Sequence, residues 1–133
     1  PDLVIGSRWV AGGAVENWAR RRQWLSRSAN VYAKLLLGGK VKDMTAGFRI
    51  YRTEKLIQID LESVQSEGYC FQIEMTMCMA QIGGEILESP ITFVERDFGV
   101  SKMSGNIVIE AMSRVTVWGL QRALKVFGRN NTR

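Results

Sequence analysis

An α/β layer is the fold class that the sequence predicts, and three observations predict it. Short apolar runs closed by glycine or polar residues alternate with longer stretches of helical period. Paired glycines punctuate the chain at Gly12-Gly13, Gly38-Gly39 and Gly83-Gly84. With 133 residues, 46% hydrophobic and 23% charged, the chain is one globular domain in size and has enough apolar content for a core. There is no internal repeat and no low-complexity segment.

Leu3-Val4-Ile5, closed by Gly6-Ser7, reads as a buried strand. Arg8 to Asn17 reads as a loop. From about Trp18 to Leu37 a helical period places Trp18, Leu25, Val31, Tyr32, Leu35 and Leu36 on one apolar side, with Gly38-Gly39 as the stop. Phe48 to Arg52 alternates apolar and basic, as a half-exposed strand does. Thr53 to Ile59 is expected to be a short helix capped by Thr53. Tyr69 to Ile82 is a mostly apolar helix. Ile86 to Val94, interrupted by Pro90, reads as an extended edge strand. Gly105 to Phe127 is a long amphipathic helix, and Gly128 to Arg133 is a frayed tail.

The absence of histidine excludes His-based triads, zinc sites and general bases. Cys70 and Cys78 lie in apolar surroundings at no metal-binding spacing and are expected to be reduced thiols of a cytosolic protein. The net charge of +5 is distributed in blocks. Residues 1–52 carry ten Lys/Arg against three Asp/Glu, residues 53–95 one against eight, and residues 96–133 seven against two. Basic ends around an acidic middle point to an anionic partner. Nucleic acid is disfavoured, because the aromatics lie in apolar stretches and not on a basic stacking surface. No stretch approaches about 18 uncharged apolar residues, so no transmembrane helix is predicted. No signal peptide is visible. The opening Pro1-Asp2-Leu3-Val4-Ile5 reads as an internal strand, and the chain is expected to be part of a longer protein.

Four groups of residues could carry chemistry. Arg8 follows a strand directly, at the edge where open α/β sheets hold ligands. Arg22, Ser26 and Asn30 share a stripe of the first helix beside Arg20, Arg21 and Arg27, and an arginine fork with a hydroxyl suits a phosphate. A solvated basic face is the alternative. Arg96, Ser101 and Lys102 flank Gly99 in a loop before a helix, where they form either a phosphate wrap or a polar turn. Asp43, in the turn Asp43-Met44-Thr45-Ala46-Gly47, either pairs with an arginine or ligand hydroxyl, or closes an Asx-turn. In the last helix Glu110, Arg114, Gln121, Arg122 and Lys125 share one sector. Ile107, Val108, Met112, Val115, Trp118 and Leu120 lie largely away from it, as in a helix at a membrane interface or one on a protein core. Gln72 and Glu74, inside an apolar helix, need partners.

Five blocks together resemble one family. They are Asp2-Leu3-Val4-Ile5-Gly6-Ser7-Arg8 with Gly12-Gly13 and Trp18; Arg21-Arg22 to Ser26-Arg27; Asp43 to Arg49; Gly68-Tyr69-Cys70-Phe71-Gln72-Ile73-Glu74-Met75; and Pro90 to Arg96 with Gly99, Ser101, Lys102 and Gly105. In this order they are similar to the polyprenyl-phosphate (dolichyl-phosphate) mannose synthases, which are family 2 glycosyltransferases.

The resemblance implies the C-terminal, acceptor-side half of a GT-A-type glycosyltransferase domain. Residues 1–104 would form the partial catalytic domain and residues 105–133 an amphipathic C-terminal helix and tail. The implied reaction moves mannose from GDP-mannose to a polyprenyl phosphate. Another polyprenyl-phosphate glycosyltransferase, using glucose or a related sugar, and a non-catalytic membrane-docking piece are the alternatives. Arg8, Arg22 and Arg96 would be catalytic. Arg22, Ser26, Arg96 and Lys102 would hold the acceptor phosphate, and Arg8 and Asp43 would stand on the donor side. A divalent metal, Mg or Mn, is expected for the complete enzyme, but none held by this chain, which lacks an Asp-x-Asp motif. Alone the chain is expected to be inactive. Its expected place is peripheral, on the cytoplasmic face of a membrane, with self-association or a missing N-terminal half completing it. Trp9 stands where Tyr is usual, Val100 where Glu is common and Ala19 where Pro often opens the helix.

Overall fold

In a computed structural model, residues 1–96 and 105–130 are described. The chain opens with β1 (Leu3–Ser7), whose Leu3 and Ile5 are fully buried. β1 is the centre of a three-stranded sheet. It pairs antiparallel with β3 (Arg49–Tyr51), in register Leu3 with Tyr51, and parallel with β4 (Ile86–Pro90), in register Leu3 with Ile86. Asp2 anchors this corner: its carboxylate accepts the Glu85 N–H at 2.9 Å, which holds the group below the usual carboxylate range.

Two expectations for the strands need correction. Arg8 to Asn17 is not all loop, because Ala14–Glu16 forms a short strand, β2. Ile86 to Val94 is not one strand. It divides at Pro90 into β4 and β5 (Thr92–Val94), and β5 leaves the first sheet to pair in parallel with β2. Proline lacks the N–H that a continuous ladder needs, so Pro90 ends one pairing where the next begins.

Helix α1 (Arg20–Leu37) starts without a side-chain cap and ends at Gly38, whose φ of 60° suits glycine and whose N–H returns to the Lys34 carbonyl at 3.0 Å. Its buried face is Ser26, Asn30, Ala33 and Leu37. The predicted apolar side holds only in part: Trp18 is buried and Tyr32 and Leu36 pack against the core, but Val31 and Leu35 are 57% and 77% exposed, as is Trp24 beside them at 71%. Helix α2 (Thr53–Leu56) is shorter than expected, and Thr53 is its first residue, with Arg52 in the cap position and no side-chain cap bond. A 3₁₀ turn (Leu61–Ser63) leads to α3 (Gly68–Gln81). The expected partner of Glu74 is the Ser66 N–H, at 3.2 Å. Cys70 and Cys78 are unpaired, and burial raises both thiol pKa values.

The last helix, α4 (Gly105–Asn130), runs through residues expected to be a frayed tail. It packs on α1 and α3. Val108 and Val115 are buried, and Trp118 packs against the core. Tyr32 shares a 2.5 Å hydrogen bond with Thr116, Leu36 lies against Gly119, and Arg122 lies over Gly38. These contacts advance together along both helices, so α1 and α4 run parallel. The core between the sheet and helices holds Leu3, Ile5, Ala33, Leu37, Met44, Ile73, Met79 and Val115.

Candidate anion site at the end of the central strand

The carboxyl end of β1 carries Ser7 and Arg8 into a loop that doubles back at Gly13. A Cβ at Gly13 would lie 2.6 Å from the Ser7 carbonyl oxygen, so only glycine permits this return. Arg8 is 6% exposed and Asp43 fully buried. The Asp43 carboxylate accepts Arg8 Nε at 2.8 Å, Arg8 Nη2 at 2.7 Å and the Arg8 backbone N–H at 2.9 Å. This is a bidentate fork, so the arginine partnership is the one that forms at Asp43. Arg8 Nη2 also reaches Thr45 Oγ1 at 3.0 Å.

The loop that presents Asp43 is held from three sides. Glu88 of β4 accepts the Lys42 and Asp43 N–H groups, both at 2.9 Å. Asn30 of α1 accepts the Met44 N–H at 2.7 Å and donates to Thr45 Oγ1 at 3.2 Å. Arg49 ties the loop to α3, donating to the carbonyls of Met44, Ala46 and Gln72 at 2.6, 2.7 and 2.8 Å and to Thr76 Oγ1 at 2.8 Å. Burial lowers the Arg49 pKa, the sign expected where a cation loses water.

Around this rigid pair stands an arginine–aromatic group. Trp18 has the Arg8 guanidinium 5.3 Å and the Arg22 guanidinium 4.1 Å from its ring centre, and Phe93 meets it edge-on at 5.7 Å. Arg22 pairs with Glu95. The Arg22 Nε and Trp18 Nε1 hydrogens are buried without an acceptor. Unmet buried donors are costly. A cavity of ≈ 530 Å³ opens beside them, lined by Arg8, Arg22, Trp18, Tyr69, Gln72 and Phe93 among others.

The structure therefore brings Arg8 and Arg22 to one cavity. Ser26, one turn beyond Arg22, is fully buried, its hydroxyl without a partner, and it does not line that cavity. Arg96 is exposed just beyond Glu95 and is not among the lining residues. Lys102 and Ser101 lie outside the described residues. Trp18, Tyr69, Phe93 and Glu95 were not singled out from sequence as parts of the site. The spacing of Trp18 and Arg22, four residues apart at the opening of α1, is the one signal that could have pointed to the stack.

Fold and site together define an α/β protein with an arginine–aromatic cleft. Comparison with known proteins agrees with that class. No family model matches the chain. The polyprenol monophosphomannose synthase of Mycolicibacterium smegmatis is 53% identical over 123 residues, 92% of this chain and 46% of that protein. The undecaprenyl-phosphate mannosyltransferase of Micrococcus luteus is 51% identical over 119 residues, 90% of this chain and 49% of that protein. The chain is thus a homologue of polyprenyl-phosphate mannosyltransferases, and it spans about half the length of the curated relatives it matches.

Proposed function

We propose that the whole protein transfers mannose from GDP-mannose to a polyprenyl phosphate, and that this chain supplies the acceptor side of a GT-A-type domain. The observation that carries this reading is the cavity in which Arg8 and Arg22 flank Trp18 while Arg22 Nε and Trp18 Nε1 lack acceptors. A phosphate monoester entering there is already an anion at neutral pH. It needs no general base to become a nucleophile, so the lack of histidine is no obstacle. The chemical task is to hold that anion at the sugar's anomeric carbon against the repulsion of the donor diphosphate. Asp43 holds Arg8 in place, and Arg22 lies on Trp18 and pairs with Glu95, so an entering phosphate competes with Glu95 for the Arg22 charge. Tyr69 and Phe93 provide an apolar wall for the first isoprene unit.

A divalent metal belongs, in this reading, to the donor half. The residues described here do not fit one: no three Cys, Asp or Glu converge, and both Asp43 oxygens are taken by Arg8. No step is assigned to it. Among the described residues no helix is long and apolar enough to cross a membrane. The polyprenyl acceptor places the working site at a bilayer surface. The exposed Trp24, Val31 and Leu35 of α1, with Ile109, Leu120 and Leu124 of α4, form the surface that would face it.

Transfer by the full-length protein tests the assignment. Arg22→Gln is expected to lower kcat/KM for polyprenyl phosphate by about 100-fold or more, with Arg22→Lys recovering only part because it lacks the fork. Circular dichroism should show both variants folded. An Arg22→Gln enzyme within about twofold of the parent would remove Arg22 from the acceptor site.

A further inference from the structure

A second cavity, of ≈ 320 Å³, also borders Arg8, and the reaction proposed above makes no use of it. Trp9, Arg27, Val31, Lys34 and Lys42 are among its other lining residues. Arg27 stacks over the Trp9 ring at 4.7 Å, while Trp9 Nε1 is buried without an acceptor. Among the described residues none of Arg27, Lys34 and Lys42 is paired with a carboxylate. Arg27, Lys34 and Lys42 are all exposed, so the hollow presents three mobile positive charges to any anion that enters it.

The surroundings identify the kind of anion. On α1 the residues Trp24, Val31 and Leu35 fall within a narrow sector, and Arg27 and Lys34 occupy the sector next to it. The three apolar side chains are exposed. Because α1 and α4 run parallel, Leu35 lies abreast of Leu120. Exposed Ile109, Val117 and Leu124 extend the apolar surface along α4. A soluble phosphate would gain from the cations alone. A lipid gains from both, its headgroup phosphate in the cationic hollow and its glycerol and chains against the neighbouring apolar stripe.

We infer that this hollow binds the phosphate headgroup of an anionic membrane lipid, as a docking site that shares only Arg8 with the Arg8–Arg22 cavity. Arg27 and Lys34 grip the phosphate from the helix, Lys42 closes the hollow from the loop, and Trp9 Nε1 donates to a phosphate oxygen. The inference rests on the membrane-surface part of the proposed function and not on the sugar chemistry, so the two can fail separately.

The test is co-sedimentation of the full-length protein with phosphatidylcholine vesicles, with and without phosphatidylglycerol, in the absence of sugar donor and polyprenyl phosphate. The expected result is preference for the anionic vesicles. Arg27→Gln with Lys34→Gln should weaken that binding about tenfold or more, allowing for about fivefold per cation at a charged surface. Arg114→Gln with Lys125→Gln removes the same charge beside the α4 stripe and should weaken it clearly less. Equal losses from the two pairs would reduce the effect to diffuse surface charge and overturn the site. Trp9→Phe, which keeps the aromatic wall and removes only the donor, should also weaken anionic binding, and no change would remove Trp9 from it. Titration with inorganic phosphate forms a second arm. Saturable binding of phosphate that Arg27→Gln abolishes, without any vesicle preference, would mark a soluble-ligand site and overturn the lipid assignment.

Discussion

The inner and outer faces of α1 carry the reverse of what a surface helix usually shows. The inner face begins with Ser26 and Asn30 before it reaches Ala33 and Leu37. The outer face exposes Trp24, Val31 and Leu35. Hydrogen bonding explains the inversion. The loop carrying Asp43 and Thr45 must be buried to hold Arg8, and its backbone needs partners that only a polar helix face supplies. Asn30 meets that need at the Met44 N–H and also donates to Thr45 Oγ1, while a bond to the Ser26 carbonyl of its own helix fixes its side chain. A buried loop with an unmet N–H would cost about 1–3 kcal/mol, which a polar helix face avoids. Where the outer surface has a partner of its own, as at a bilayer, the cost of leaving apolar side chains in water disappears.

This contrast can be broken at the inner network first. Asp43→Asn leaves Arg8 buried beside a neutral group and should lower unfolding stability by about 3–5 kcal/mol in urea titration. The double variant Arg8→Met with Asp43→Leu should recover most of that loss while leaving transfer abolished, which separates holding the fold from handling phosphate. A single Asp43→Asn cost below about 1 kcal/mol would show that the pair is not what holds the loop.

A smaller effect is expected one shell outward. Asn30→Ala strands the buried Met44 N–H and should cost about 1–3 kcal/mol, with faster amide exchange at Met44 and Thr45 as the local signature. Unchanged exchange there would show that the loop is held from Glu88 and Arg49 alone.

The outer face should give the smallest change in stability. Leu35→Gln with Leu120→Gln is expected to move unfolding by no more than about 0.5 kcal/mol per site, yet to reduce binding to vesicles. A loss of 2 kcal/mol or more would mean that this face is packed against protein.

Much of the fold is legible along the chain, and individual residues show where legibility stops. Leu3 and Ile5 alternate inward as a strand's period requires, and Gly38 stops α1 where its positive φ is needed. β2 has only three residues, Ala14–Glu16, too few for a period to show, and it exists because β5 lies beside it. α4 contains two apolar sectors. Val108, Val115 and Trp118 point to the protein, whereas Ile109, Leu120 and Leu124 point away. Trp118 and Leu120 both lie away from the polar sector, yet residues two positions apart on a helix are about 200° apart, so only Trp118 turns to the core.

The sequence by itself determined the alternation of elements, the absence of histidine chemistry, the arginines next to strand and helix starts, and the likeness to polyprenyl-phosphate mannose synthases. Those are local properties, carried by periodicity, turn residues and motif order. Only the tertiary structure decided that Arg8 spends its fork on Asp43, thirty-five positions away, that Arg22 lies on Trp18 and pairs with Glu95, and that Ser26 is sealed in the core. It also decided which stripe of α1 turns inward. The physical reason is that a helix bearing two usable stripes is oriented by its neighbours' unmet hydrogen bonds and charges, and those neighbours are brought beside it only by folding.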